Sequence, residues 1–279
     1  MSYKIVMDSC GELTEEMKQS GNFETASLTM QIDDYTIIDD ETFNQADFLA
    51  KIAASPNCPK SSCPSPEAYR QAFDCGREHV YAVTLSSELS GSYNSAELGV
   101  KLYKEQYPEA KAYVFNSRSA SVAETLIGLK IVECEKAGMT FEQVVDTVEN
   151  YIAVETTWFI LENLDTLRKN GRLSKVKAFV ATALKIKPVM SANSEGVIVQ
   201  LDQARGMNKA LVKMVDFIVE KVHNPEERTL GIAHCNCYER AELLQEAILK
   251  RLKFRDVVIV DTAGISSMYA NDGGIIVVA

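Results

Sequence analysis

The sequence lacks a surplus of positive charge: 29 Lys and Arg stand against 39 Asp and Glu, a net charge of -10. A sequence-independent nucleic-acid binder displaces counterions with basic groups, so nucleic acid is excluded as a partner. An anionic membrane surface is disfavoured on the same ground. No apolar run approaches the roughly 18 residues that a membrane-spanning helix needs. The N-terminus, Met1-Ser2-Tyr3-Lys4-Ile5, moves straight into a strand-like run without the basic and apolar regions of a secretory signal. The expected location is therefore cytoplasmic, and the seven Cys, an odd number, are expected as free thiols.

Familiar chemical motifs are missing too. Neither G-x-x-x-x-G-K-[ST] nor G-x-G-x-x-G is present, so no phosphate-cradling loop argues for a nucleotide. H-E-x-x-H and the nucleophile elbow G-x-S-x-G are also absent. Histidine is limited to His79, His223 and His234. His79 and His223 are expected as ordinary solvated residues, and His234, at a strand end, is the one placed to act as a base. A Ser or Cys acyl hydrolase would have to pair it with Ser90 or Cys63 across the fold, with no local signature for that. His234 beside Cys235 and Cys237 lacks the wider spacing of a zinc site, so no metal is expected.

What is there is a globular composition, 46% apolar and 24% charged over 279 residues. A chain of this size buries about three quarters of its unfolded surface and needs no staple. Strand-like runs at Tyr3–Met7, Val80–Leu85 and Ala112–Phe115 each end in a small polar loop before a helix. Ser65-Pro66-Glu67 is a helix start, with Ser as cap and Pro in the first turn. This alternation predicts an α/β protein with a largely parallel sheet. A second unit is expected from about residue 156. It comprises a strand to Ile160, a short helix from Leu164, a hairpin around Asn193-Ser194-Glu195, an amphipathic helix from Met207 to Val222, and further strands at Leu230, Val257 and Ile275. The expected domains are 1–155 and 156–279.

Small hydroxyl residues gather at the predicted C-terminal strand ends: Ser9, Ser61, Ser62, Ser86, Ser87, Ser90 and Ser117. That edge of a parallel sheet is where ligands bind. Hydroxyls and free N–H groups at a helix start hold a carboxylate or phosphate without a buried cation. The plain alternative for each Ser is helix capping. In the runs Lys60–Pro66 and Ser86–Tyr93 the hydroxyls exceed what caps require, and Gly91 lets the backbone approach a ligand. Arg172, after Gly171 in a turn, and Arg205, before Gly206 at a helix start, carry guanidinium groups suited to a carboxylate or phosphate; a solvated Arg is the alternative for each.

These segments, in this order, resemble the DegV family of bacterial lipid-binding proteins. The resemblance rests on Ile5-Val6-Met7-Asp8-Ser9, Lys60–Pro66, Ser86–Tyr93, Asn116-Ser117, the run 164–174, Ile186-Lys187-Pro188 and Ala204-Arg205-Gly206. It implies a two-domain α/β fold, each domain a mainly parallel sheet flanked by helices, with a lipid tunnel between them. It implies a non-enzymatic protein that buries one long-chain fatty acid, takes no cofactor and presents the carboxyl group to a partner fatty acid kinase for acyl-phosphate formation. By the same resemblance Ser61, Ser62, Ser90, Gly91 and Arg205 hold the carboxylate, and Arg172 lies nearer the kinase-facing surface.

The sequence departs from the family at Cys10, Ser61, Cys63 and Asn170, where threonine, threonine, glutamine and glycine are common. The family's C-terminal histidine-x-glycine-proline-glycine loop is replaced by Ser266–Gly274, where either Tyr269 or Asn271 substitutes for the histidine or the carboxylate is held differently. A lipid sensor without a kinase partner and an acyl hydrolase using the same cleft remain the alternatives.

Overall fold

The structure is a computed structural model, and it describes residues 2–173 and 185–279. Strand β1 (Tyr3–Asp8) leads through helix α1 (Glu15–Gln19) to β2 (Phe23–Ala26). A hairpin, β3 (Thr29–Ile32) and β4 (Tyr35–Ile38), precedes α2 (Gln45–Ala54) and the short β5 (Lys60–Ser62). Then follow α3 (Pro66–Phe73), β6 (His79–Thr84), α4 (Ser92–Gln106), β7 (Lys111–Asn116), α5 (Val122–Lys136) and α6 (Phe141–Val154). The second half runs β8 (Thr157–Ile160), α7 (Asp165–Lys169), β9 (Ile186–Ala192), β10 (Ile198–Arg205), α8 (Met207–Lys221) and β11 (Thr229–His234). It finishes with α9 (Tyr238–Leu249), β12 (Asp256–Asp261), α10 (Gly264–Ala270) and β13 (Ile275–Val278).

The first sheet has the order β2-β1-β6-β7 and is parallel throughout. Helices cover both faces, so β6 is buried at every residue and reads as a continuous apolar run. Helix α3 starts as its sequence demands, with Ser65 Oγ accepting from Ala68 N and Pro66 at the first position.

The second sheet, β10-β9-β8-β13-β11-β12, is not the mainly parallel sheet expected. Only β11 and β12 run parallel, and the other pairings are antiparallel. A strand-helix alternation does not state strand direction. Here β13 returns between β8 and β11, and the short link from β9 to β10 permits only an antiparallel hairpin. A small antiparallel sheet, β4-β3-β5, has no counterpart among the sequence expectations. The run 164–174 ends outside the described residues, at Ser174.

Helix α5 is buried on nearly every side, with ten buried residues. Ile127 and Ile131 pack with Tyr81 and Phe115 of the first sheet. Val122 and Leu126 pack with Ala233 and Val278 of the second. Packed on two sides in this way, α5 serves both sheets.

Candidate functional site

A narrow cavity lies between the second sheet and the loops that follow β1, β6 and β7. Its floor is one face of the sheet. Thr157, Phe159 and Leu161 line it because side chains alternate along β8. Trp158 and Ile160 point the other way, into the core beneath α8 and α9. Ala192, Ile198 and Ile276 extend the floor, while Leu89, Ala120 and Ile265 form the opposite wall. The run from Thr157 to Leu161 alone covers about 13 Å at ~3.3 Å per residue. The cavity volume is about 100 Å³, counted as positions open to the centre of a water molecule. At ~10–15 Å³ per water, that is a file of roughly seven to ten.

Polar groups gather at one end. Arg172 and Tyr269 line the cavity there. Tyr269 Oη lies 3.4 Å from Ser61 Oγ, in the middle of β5. Arg172 donates from Nε to Leu89 O (3.0 Å) and from Nη1 to Asn170 O (2.6 Å), tying the turn after α7 to the serine loop. That loop ends at Gly91, the cap position of α4, where a Cβ would stand 3.3 Å from Cys63 Sγ. So the runs containing Ser61 and Ser90 adjoin. Helix α4 has no acid in its first turn, and its positive dipole end favours an anion.

Buried acids hold these loops in place. Asp8, at the end of β1, accepts from Cys10 N through Oδ1 and from Leu85 N (3.0 Å) and Ser92 Oγ (2.6 Å) through Oδ2. Tyr69 Oη is 2.7 Å from the same Ser92 Oγ. Burial raises the Asp8 carboxyl even so. Asp39 accepts from Gly264 N (2.7 Å) and Ile265 N (2.8 Å), gripping the start of α10, and burial pushes it up to about 6. Glu12 accepts from Ser121 Oγ (2.9 and 3.0 Å) behind the cavity wall, and burial pushes it up to about 7.

Asp8, Cys10 and Glu124 bring their ligand-type atoms within 4.8 Å of one another. Burial raises all three groups, favouring protonated forms that do not bind metal, and the Asp8 oxygens are already taken by three donors. The trio therefore fits a proton-sharing cluster better than a cation site. All seven cysteines are free thiols.

Of the residues singled out from sequence, Ser61, Arg172 and Tyr269 meet at the polar end of the cavity. Ser90 is half-buried in the adjoining loop, with Oγ accepting from Ser92 N (3.2 Å), and Gly91 is exposed beside it. Ser62, next along β5, is exposed. Asn271 donates from Nδ2 to Tyr269 O (3.1 Å), and so braces α10. Arg205 is the last residue of β10, exposed, and does not line the cavity. It pairs with Ile186, and the β8–β9 register carried on from Trp158↔Ser191 sets Ile186 level with Asn163. Arg205 thus stands at the same edge of the sheet as the turn carrying Arg172. Asp202 is bonded to Lys213, not to Arg205.

Two further readings change. His79 is not solvated: it is 1% exposed, with Nδ1 2.7 Å from Glu135 Oε1, which also accepts from Tyr81 Oη (2.7 Å). His234 lies 3.4 Å from Asp261 Oδ1, and its Nδ1 accepts from Cys237 N (3.4 Å). Neither contact reaches Ser90 or Cys63, whose Sγ is 3.7 Å from Ser95 Oγ, so no hydrolase pair forms with His234 among the described residues. The cavity floor has its signal in the sequence in the alternation along Thr157–Leu161.

Among the described residues no helix is long and apolar enough to cross a membrane. The profile described as "Uncharacterised protein, DegV family" matches residues 2–279. A DegV domain-containing protein of Streptococcus gordonii is 31% identical over 278 residues, 99% of this chain and 98% of that one. The crystal structure of a DegV family protein from Ruminococcus gnavus with vaccenic acid is 57% identical, covers 100% of both chains and superposes with a TM-score of 0.98. The Fatty Acid Kinase (Fak) B3 protein of Streptococcus pneumoniae, loaded with linoleic acid, is 31% identical, with 100% and 99% of the chains covered and a TM-score of 0.89. With this fold, these loops and a match along the whole described chain, the protein belongs to the DegV family.

Proposed function

We propose that this protein binds one long-chain fatty acid in the cavity and presents its carboxyl group at the Tyr269 end, for a separate fatty acid kinase to convert to the acyl phosphate. The observation that carries the reading is the cavity's polarity. Most of its length is walled by apolar side chains, the Ser119 and Thr157 hydroxyls at the far end are bonded to each other, and the Arg172 guanidinium and the Tyr269 and Ser61 hydroxyls stand together at one end. An acyl chain gains roughly 0.8 kcal/mol per buried CH₂, ample for tight binding over sixteen or so carbons. The carboxylate then needs satisfied hydrogen bonds, which Ser61, Ser90, Tyr269 and the first turn of α4 offer. The relatives loaded with vaccenic and linoleic acid support the same ligand class.

In this reading Gly91 contributes backbone, Ser62 lies at the rim, and Arg172 and Arg205 flank the exit where the kinase docks. The protein supplies no catalytic base, and the chemistry belongs to the partner, in the cytoplasm where ATP is available. The test is native mass spectrometry of the purified protein, followed by incubation with a fatty acid kinase and ATP and trapping of the acyl phosphate with hydroxylamine. A co-purifying fatty acid released on denaturation, and a kinase-dependent hydroxamate, are expected. Absence of bound acid overturns the reading. Bound acid without hydroxamate leaves a sensor, a reading favoured by Tyr269 and Asn271 in place of the family's histidine loop.

A further inference from the structure

The cavity ends, away from Tyr269, at a thin wall. Ser119, Thr157 and Ala192 line it, and the same three residues line a second cavity of about 760 Å³ on the other side. Ser119 Oγ and Thr157 Oγ1 are 2.5 Å apart, and each residue is 7% exposed. The bond joins the loop before α5 to the first residue of β8. Backbone contacts hold both ends: Ser119 O accepts from Ser86 N (2.8 Å), and Thr157 O accepts from Ser191 Oγ (2.7 Å). One layer of small side chains therefore separates the two spaces. The far cavity presents apolar surface from Val199, Leu201 and Phe217, with Arg118, Lys221 and Arg228 among its other lining residues.

We propose that Ser119, Thr157 and Ala192 form a gate at the methyl end of the acyl tunnel, and that the cavity behind it receives the tail of chains too long for the tunnel. The inference rests on the fatty-acid reading above and makes these three residues the determinants of chain length. A bonded hydroxyl pair suits a gate. One hydroxyl donates to the other, so the pair turns a single O–H, not two, toward an apolar chain. Ser and Thr side chains are short enough to rotate aside without displacing the core. Each methylene that passes the gate and is buried adds about fourfold in affinity.

The experiment offers delipidated protein an equimolar mixture of saturated fatty acids from C14 to C24 and reads the bound species by native mass spectrometry. Thr157→Ala opens the gate and is expected to raise the C22-to-C16 ratio at least tenfold. Val199→Trp fills the far cavity from a residue outside the tunnel lining. It is expected to lower that ratio at least tenfold while leaving C16 binding unchanged, and the double variant restores the low ratio. Retained C16 binding with the same ratio in both single variants overturns the gate alone. No binding of any acid by the unaltered protein overturns the fatty-acid reading and the gate with it.

Discussion

Tyr269 Oη stands 3.4 Å from Ser61 Oγ, joining the end of α10 to the middle of β5 across 208 positions of the chain. The contact assembles the polar end of the cavity from a strand in the first half and a helix near the C-terminus. Asp39 makes it reproducible by fixing where α10 begins. Removing either hydroxyl should weaken fatty-acid binding by about 1.5–3 kcal/mol, the cost of a lost hydrogen bond to a charged group. Calorimetric titration of Ser61→Ala and Tyr269→Phe with palmitate measures it, and two unchanged affinities would remove these residues from the head-group site.

The two arginines at this edge should behave differently. Arg172 is bonded to Leu89 O and Asn170 O, so Arg172→Ala should lower the melting temperature and loosen lipid binding together. Arg205 is exposed, and its substitution to Ala should leave the melting temperature unchanged while abolishing kinase-dependent acyl-phosphate formation. Arg205→Lys should restore it only in part, since an ammonium lacks the bidentate fork. Normal phosphoryl transfer by Arg205→Ala would remove Arg205 from the kinase-facing surface.

Stability should fall as pH rises from about 5 to 8. Burial holds Asp39 at about 6, Glu12 at about 7 and Glu155 at about 8, each above its unfolded value. Between the unfolded and folded values the native state carries more protons than the unfolded one, so raising pH drains stability. Burial is the main cause of the Glu155 rise and the neighbouring Tyr151 hydroxyl offsets it only in part, so Glu155→Gln should flatten the upper part of the decline. Urea midpoints at half-unit pH steps test this, and a midpoint rising from pH 5 to 8 would contradict it.

The pair His79–Glu135 should be costly to break and cheap to replace. Both side chains are almost fully buried, so Glu135→Ala strands the imidazole and the Tyr81 hydroxyl. A loss of about 3 kcal/mol is expected, whereas His79→Leu combined with Glu135→Met, which removes the stranded imidazole but not the stranded Tyr81 hydroxyl, should recover part of it. Chemical denaturation of the two variants decides. A double variant no better than Glu135→Ala would mean the pair stabilises the fold in its own right.

The local signals that survived into the structure are those with a short-range cause. Ser65-Pro66 starts α3, and the buried run of β6 forms a parallel strand. Ser61 and Ser90 stand out because the hydroxyl runs exceed capping needs, and the structure sets Ser61 beside Tyr269 and Ser90 in the adjoining loop. Strand direction in the second sheet was not visible, since β13 inserts between strands distant in sequence. His79 was misjudged because its partner, Glu135, lies 56 residues away on α5. Arg205 looked like the head of a helix, yet the positive φ of Gly206 ends a strand there before α8 begins.

Helix α5 gives one side to Ile5 and Val83 and the other to Ala233 and Val278. The site where Gly231 passes it is so close that a Cβ would stand 2.9 Å from Val122 Cγ2. A fragment ending at residue 155 would carry that second side bare, a greasy stripe with nothing to cover it, and should aggregate. The intact chain should accordingly melt in one calorimetric step, with neither half surviving the other.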